Sequence, residues 1–199
     1  MIKQEKIWDK IARPWKSFRE RPLKEVEEFL SKKSGNVLDL GCGSGRHFAK
    51  INWRIYGADF SKEMLKLAEK HAKEEEIDAE LVQAEAYELP FKDNFFDSAM
   101  FVAALHCIES EEKRKKSLKE LLRVMKKGSE AIITVWSRNQ ERVKNKPKEA
   151  LIPWTVDGNK YLRYYYLYDK KELEDLLKSV GFKIISLKED RNIIAVVKK

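Results

Sequence analysis

Apolar residues recur along the chain in two rhythms, and their alternation lays out the fold. Ile7, Trp8, Ile11, Ala12 and Trp15 follow helical spacing, and Pro14 is expected to break that helix. Arg19, Arg21 and Pro22 lead into a second helix with Val26, Phe29 and Leu30 on one face, its end signalled by Ser34-Gly35. Val37, Leu38 and Leu40 read as a short buried first strand, which with the loop after it occupies about 36–45. Phe48 and Ile51, with flanking basic residues, predict a helix over about 45–50. Ile55–Asp59 reads as the second strand, after which Ser61 caps a long helix carrying Met64, Leu65, Leu67 and Ala68. Glu80–Gln83 and Phe95–Ala104 predict the third and fourth strands, separated by a loop at Leu89-Pro90-Phe91 and Asp93-Asn94. Leu118, Leu121, Leu122 and Met125 line a helix over about 111–127, stopped by Gly128, and Ala131–Trp136 is the fifth strand. Asp169 caps a further helix with Leu173, Leu176 and Leu177 that ends at Gly181. Phe182–Leu187 and Ile193–Val197 then close the chain as a hairpin.

Strands alternating with helices call for an α/β architecture: a Rossmann-like, seven-stranded, mostly parallel sheet with helices on both faces and an antiparallel C-terminal hairpin. At 199 residues the expectation is a single domain over 1–199, with an N-terminal helical cover (about 1–34). The stretch 138–168 is basic at first, then aromatic, and shows no clean period; it reads as a substrate-side insertion. No repeat, low-complexity tract or linker marks a second domain.

Composition narrows the setting. A hydrophobic fraction of 43% with 37% charged residues suits a soluble globular protein, and no run approaches the roughly 18 apolar residues of a membrane helix. Two cysteines, Cys42 and Cys107, make no disulfide framework, so a cytoplasmic location is expected. His47, His71 and His106 are scattered, and no metal site is expected. A net charge of +8 permits a polyanionic partner, and it equally suits a lysine-rich solvated surface.

The chemistry is most legible at Val37-Leu38-Asp39-Leu40-Gly41-Cys42-Gly43-Ser44-Gly45. Alternate glycines after a buried strand let backbone approach a ligand more closely than a Cβ would allow. The spacing is G-x-G-x-G, unlike the G-x-G-x-x-G of dinucleotide folds. Ligands in such sheets bind outside the carboxyl ends of the strands, where Asp39, Asp59, Glu85, Ala86, Ala103, Ala104 and His106 are delivered. A carboxylate ending the second strand can accept from two ribose hydroxyls. The other role open to Asp59, helix capping, falls better to Ser61.

This loop resembles the first motif of class I S-adenosylmethionine-dependent methyltransferases. Asp59-Phe60-Ser61, Ala84-Glu85-Ala86 with Leu89-Pro90-Phe91, and Phe95-Phe96-Asp97 resemble the later motifs in their usual order, over about residues 36–136. The resemblance implies S-adenosylmethionine as cofactor, held by Asp39, Gly41, Gly43, Gly45, Arg46, Asp59, Phe60, Glu85, Ala86 and Ala103. Glu85 stands where an Asp is usual, and Ala84 replaces a frequent Gly.

A narrower resemblance covers nearly the whole chain. Trp8-Asp9-x-Ile11-Ala12, Phe18-Arg19, Ala104-Leu105-His106, Val135-Trp136, Ile152-Pro153-Trp154 and Arg163-Tyr164-Tyr165-Tyr166-Leu167-Tyr168 resemble the wobble-uridine tRNA carboxymethyl methyltransferases. Cys107 stands where His is common and Leu23 where Trp is. The resemblance implies methylation of the carboxylate of 5-carboxymethyluridine in tRNA, and a small zinc-containing activator protein as partner. Arg19, His106 and Arg163 would orient the substrate, with Tyr164 or Tyr166 stacking on a base.

Several residues carry a second reading. His106 is equally a satisfied neighbour of the pocket, and Cys107 suits a small residue at a helix start better than a nucleophile. Arg163 and its tyrosines could simply cover the sheet. The run Arg138, Arg142, Lys144, Lys146 and Lys148 could be a solvated face. Trp8 and Trp15 could cover the cofactor or staple the first helix. Two rival functions stay open: a small-molecule methyltransferase of the same fold, and a non-catalytic cofactor-binding subunit.

Overall fold

A computed structural model describes residues 3–19, 21–50 and 53–199. Helices α1 (Gln4–Phe18) and α2 (Lys24–Leu30) precede β1 (Gly35–Leu40), β2 (Trp53–Asp59), α3 (Lys62–Glu74), β3 (Ala79–Gln83) and β4 (Phe96–Val102). A 3-10 turn at Leu105–Cys107 leads to α4 (Glu111–Val124) and β5 (Met125–Trp136). Then come β6 (Glu149–Val156), β7 (Asn159–Tyr166), α5 (Lys170–Val180), β8 (Lys183–Glu189) and β9 (Asn192–Lys198).

Seven strands form one sheet in the order β3-β2-β1-β4-β5-β9-β8, and β6 with β7 makes a separate pair. Strands β1 to β5 run parallel, and β9 is antiparallel to both β5 and β8. The α/β sheet with its terminal hairpin is therefore as the alternation of patterns implies. The chain winds outward from β1 to β3 and then returns to the other side of β1 as β4, which places the switch in strand order between β1 and β4.

Period-two alternation divides the core between the two faces. Leu38, Leu40, Ala99, Phe101 and Ile133 join Leu118 and Leu121 of α4 and Leu173 and Leu177 of α5. Val37, Met100 and Ile132, one residue out of step, pack instead on Val26, Phe29 and Leu30 of α2. Strands buried on both faces read as continuous apolar runs, as β1 and β4 do.

Caps fix the helices beside the switch. Ser61 Oγ accepts from the Met64 N–H at 3.2 Å and donates to Asp9 Oδ1 at 2.6 Å, which ties α1 to the start of α3. Asp169 and Glu172 form a capping box on α5, and Gly181, at φ 113°, ends it. No helix among the described residues is long and apolar enough to cross a membrane.

The structure departs from the pattern-based elements in four places. Helix α1 continues through Pro14, because Trp15 and Phe18 beyond it pack on Trp154 with ring centroids 5.1 Å apart. The helix expected over 45–50 is a series of turns instead. Gly41, Gly43 and Gly45 all take positive φ, and Gly45 N–H to Cys42 O and Phe48 N–H to Gly45 O are isolated turn bonds. Ile51 lies outside the described residues.

Helix α4 ends at Val124 rather than at Gly128. Met125 is already extended and pairs with Phe96, while Gly128, at φ 83°, sits in a bulge where the register moves to Ser98 and Glu130. The second half of the aperiodic insertion is a hairpin. Asp157 and Gly158, at φ 47° and 78°, turn β6 into β7 in the manner of a type I′ loop.

Candidate active site

The loop after β1 is shaped by its hydrogen bonds. The N–H groups of Gly41 and Cys42 donate to Ala58 O at 2.7 and 3.1 Å, which fastens the loop to β2. A Cβ on Gly41 would lie 2.4 Å from the Cβ of Ala104, so only glycine lets the loop meet the segment after β4. A Cβ on Gly43 would meet nothing nearer than Met64 Sδ at 4.0 Å; it would project into open space. Asp59 accepts from Gly43 N–H at 2.9 Å and from Ser61 N–H at 2.8 Å, so one carboxylate joins the glycine loop to the start of α3.

Two buried carboxyls stand side by side here. Burial first, then the charge of Asp59, push the Asp39 carboxyl up to about 8, with Arg46 opposing. Burial raises Asp59 to about 6 against the pull of its two backbone N–H bonds, and Asp9 and Glu85 add to the rise. Oδ2 of Asp39 has no hydrogen-bond partner among the described residues.

These elements open onto a cavity of about 660 Å³, in the range of small-molecule sites. Gly41, Gly43, Arg46, Asp59, Phe60, Glu85, Ala86 and Ala103 line it, together with Arg19 and His106. Asp39 and Gly45 are absent from the lining. Trp8 and Trp15 line it and also pack edge-to-face on each other at 5.2 Å, so each serves both as wall and as staple.

His106 is fully buried at the cavity wall. Its Nδ1 accepts from the Trp136 N–H at 3.3 Å, which leaves the proton on Nε2. Burial, helped by Arg163 and Arg19, lowers its pKa to about 3, so the ring is a neutral donor. Cys107 beside it is held protonated, its thiol pushed up to about 12 chiefly by burial.

The period of two along β7 divides the arginine–tyrosine stretch between two faces. Arg163 and Tyr165 share the inner face, where Arg163 Nη1 donates to Tyr165 Oη at 2.8 Å. The Arg163 guanidinium lies 4.9–5.8 Å from the rings of Trp8, Trp15, Trp154 and Tyr165. It stands behind the cavity wall, and its Nε and Nη2 have no partner among the described residues.

Tyr164 and Tyr166 face the other way. Tyr164 Oη accepts from Arg114 Nη1 at 3.1 Å, and Tyr166 bonds Glu172 while its ring lies 3.9 Å from the Arg114 guanidinium. Neither lines the cavity, whereas Tyr165 between them does, its buried ring packed on His106 and Trp136 at 5.0 and 4.5 Å. The spacing i, i+2 from Arg163 to Tyr165 was the available signal.

Two further residues were not foreseen. His47, its pKa lowered to about 3 chiefly by burial, accepts at Nε2 from Arg46 Nε at 3.3 Å and holds that guanidinium at the cavity. Arg191, from the turn between β8 and β9, reaches the same cavity. Among the basic run of the insertion, Lys144 pairs with Glu141, Lys148 with Glu172, and Arg138 with Asp169, whereas Arg142 lines the cavity.

A methyltransferase domain family model matches residues 38–133. The tRNA (carboxymethyluridine(34)-5-O)-methyltransferase of Schizosaccharomyces pombe is 28% identical over 215 residues, covering 94% of this chain and 91% of that one. The Arabidopsis thaliana protein of the same name is 34% identical over 161 residues, but this match covers only 37% of its length. An uncharacterized protein of Methanocaldococcus jannaschii is 34% identical over 200 residues, covering 89% of this chain and 75% of its own. A solved S-adenosylmethionine-dependent methyltransferase from Methanosarcina mazei superposes with TM-score 0.72 at 22% identity, over 90% of this chain and 98% of its own. A Haloferax volcanii methyltransferase solved in complex with the Trm112 activator gives TM-score 0.70 at 15% identity, over 96% of each chain.

Fold, glycine loop and the acid closing β2 thus define a methyltransferase of the nucleoside-sulfonium type. The chain is an S-adenosylmethionine-dependent methyltransferase, with its methyltransferase domain matched over residues 38–133. The residues present fit that cofactor: Gly43 leaves a space that a Cβ would fill, and Asp39 offers an unpartnered buried oxygen.

Proposed function

We propose that this enzyme methylates the carboxylate of 5-carboxymethyluridine at the wobble position of tRNA. The observation that carries the reading is the pairing of Arg19 with His106 Nε2–H on the wall of the glycine-loop cavity. One is a cation and the other a neutral donor, and together they suit an anionic acceptor oxygen. A carboxylate with an ordinary pKa near ~4 is ionised at neutral pH and needs no general base. Neither His106 nor Cys107 is poised to act as one, which fits that economy.

S-adenosylmethionine, when bound, supplies an electrophilic methyl on a sulfonium. The protein's part is alignment, and effective alignment carries most of the barrier reduction in such a displacement. In this reading Asp59 faces the ribose of the cofactor and Glu85 and Ala86 its base, while Asp39 lies behind the lining near the cofactor's cationic end. Arg19 and His106 hold the acceptor carboxylate, and Trp8, Trp15 and Tyr165 keep water away. Arg163 acts from behind that wall as a positioning residue. The relatives named as tRNA carboxymethyluridine methyltransferases support the choice of acceptor. A zinc-containing activator is proposed on the same resemblance, and co-expression that raises neither solubility nor activity would count against it.

The test is transfer of labelled methyl to total tRNA followed by nucleoside analysis. Label recovered in a base-labile ester of a wobble uridine supports the proposal. Label found only in small molecules, or in no acceptor with every partner supplied, overturns it.

A further inference from the structure

Resting on that reading of the acceptor, we propose that Arg142 and Arg191 form a clamp for a backbone phosphate of the RNA beside the acceptor nucleotide. The two arginines come from separate parts of the chain. Arg142 lies in the segment after β5, its guanidinium 5.6 Å from the Trp136 ring centroid, and Arg191 sits in the two-residue turn between β8 and β9. Both are exposed, and both line the cavity that holds Arg19.

The two loops are laced together. Ser137 Oγ and Asn139 Nδ2 donate to Glu189 Oε1 at 2.5 and 2.9 Å, and Gln140 Nε2 donates to Asn192 Oδ1 at 3.4 Å. The lacing fixes the two loops that carry Arg142 and Arg191 relative to each other and engages one carboxylate oxygen of Glu189. Among the described residues, neither arginine has a carboxylate within ion-pairing distance, whereas Arg138, Lys144 and Lys148 of the insertion do. Arg19 is close enough for both to depress its pKa, behind the larger effect of burial. Three like charges line one opening with no ion-paired carboxylate among the described residues, and their summed field favours an incoming anion.

A phosphodiester matches this arrangement. Planar guanidinium groups bind phosphate oxygens through parallel N–H bonds, and such contacts fix register on the polynucleotide without reading sequence. Arg19 and His106 are then left for the carboxylate, deeper in the same cavity. The clamp makes a nucleotide within RNA a better substrate than the free nucleoside.

Binding of a short anticodon stem–loop RNA, followed by fluorescence anisotropy across a salt series, tests the clamp apart from turnover. Arg142→Ala and Arg191→Ala are each expected to weaken binding about 5- to 10-fold at low salt, and each to lower the slope of log affinity against log salt by about one. Affinity for S-adenosylhomocysteine should stay within about two-fold. Lys178→Ala, a charge change on the outer side of α5, serves as control and should leave the slope alone. A double variant with the wild-type affinity and slope overturns the clamp, even if the wild type methylates 5-carboxymethyluridine. If the wild type instead methylates another base while both variants lose affinity, the acceptor assignment fails and the clamp stands. Equal loss of turnover on RNA and on free 5-carboxymethyluridine also overturns it, because a phosphate contact cannot affect the nucleoside.

Discussion

The backbone N–H of Trp136 donates to Nδ1 of His106 at 3.3 Å, and this one bond fixes which nitrogen of the neutral ring carries the proton. With the folded-state pKa lowered to about 3, the ring should stay neutral from about pH 5 upward, with its proton on Nε2. Nitrogen chemical shifts measured across that range check this, and titration near 6.5 would contradict it. The unfolded chain takes up a proton near about 6.5. Stability should therefore fall as pH drops from there toward 3, with His47 adding to the same limb. His106→Gln should flatten part of that limb in chemical denaturation and lower turnover, with cofactor affinity retained.

Asp39 and Asp59 act in the opposite direction. Their folded pKa values, about 8 and about 6, lie above the unfolded ones, so the folded ligand-free protein holds extra protons and loses stability as pH rises from about 4 toward 8. A cationic ligand near Asp39 favours the ionised carboxylate. Affinity for S-adenosylhomocysteine should accordingly rise between about pH 6 and pH 8, with proton release on binding. Calorimetry in buffers of different ionisation enthalpy measures that release. Asp39→Asn should abolish the pH slope; a slope unchanged in this variant sinks the assignment.

The two halves of the site were unequally legible in the sequence. Asp39 through Gly45, Asp59 and Ser61 sit at strand ends, a positive-φ turn and a helix cap, features that local backbone rules can place. Arg163, Tyr165 and Trp154 come together only through the β6–β7 hairpin, whose Asp157-Gly158 turn lies inside a stretch that offered no period over its full length. Pro14 misled for the reverse reason, since aromatic contacts with distant Trp154 outweigh a lost helix bond. Arg191 had no local signal at all. Its place at the cavity follows from the order β5-β9-β8, which only the assembled sheet reveals.

Alternate glycines of the loop should respond differently to a single methyl group. Gly41→Ala puts a Cβ 2.4 Å from that of Ala104 at φ 71°, combining overpacking with left-handed strain. The expected loss is roughly 2–5 kcal/mol by denaturant titration. Gly43→Ala faces only the strain term, roughly 1–2 kcal/mol, but fills the space left for ligand. It should weaken S-adenosylhomocysteine binding at least about ten-fold while losing less stability than Gly41→Ala. Equal destabilisation of both variants would contradict the geometry.

Arg163 separates packing from function most cleanly. Its guanidinium is buried among Trp8, Trp15, Trp154 and Tyr165 with two nitrogens unpartnered among the described residues, an arrangement costly to stability if packing were its only purpose. Arg163→Met keeps the volume and removes the charge. Stability should hold or rise by about 1–3 kcal/mol, as for other buried charges replaced by apolar groups. S-adenosylhomocysteine affinity should be unchanged. Methyl transfer to RNA should fall at least about 100-fold, because the charge felt by His106 and Cys107 is gone. Arg163→Lys, retaining charge but losing the fork that reaches Tyr165 Oη, should lie between the two. Full activity in Arg163→Met would reduce this residue to a support for the hairpin and leave Arg19 and His106 alone to orient the acceptor.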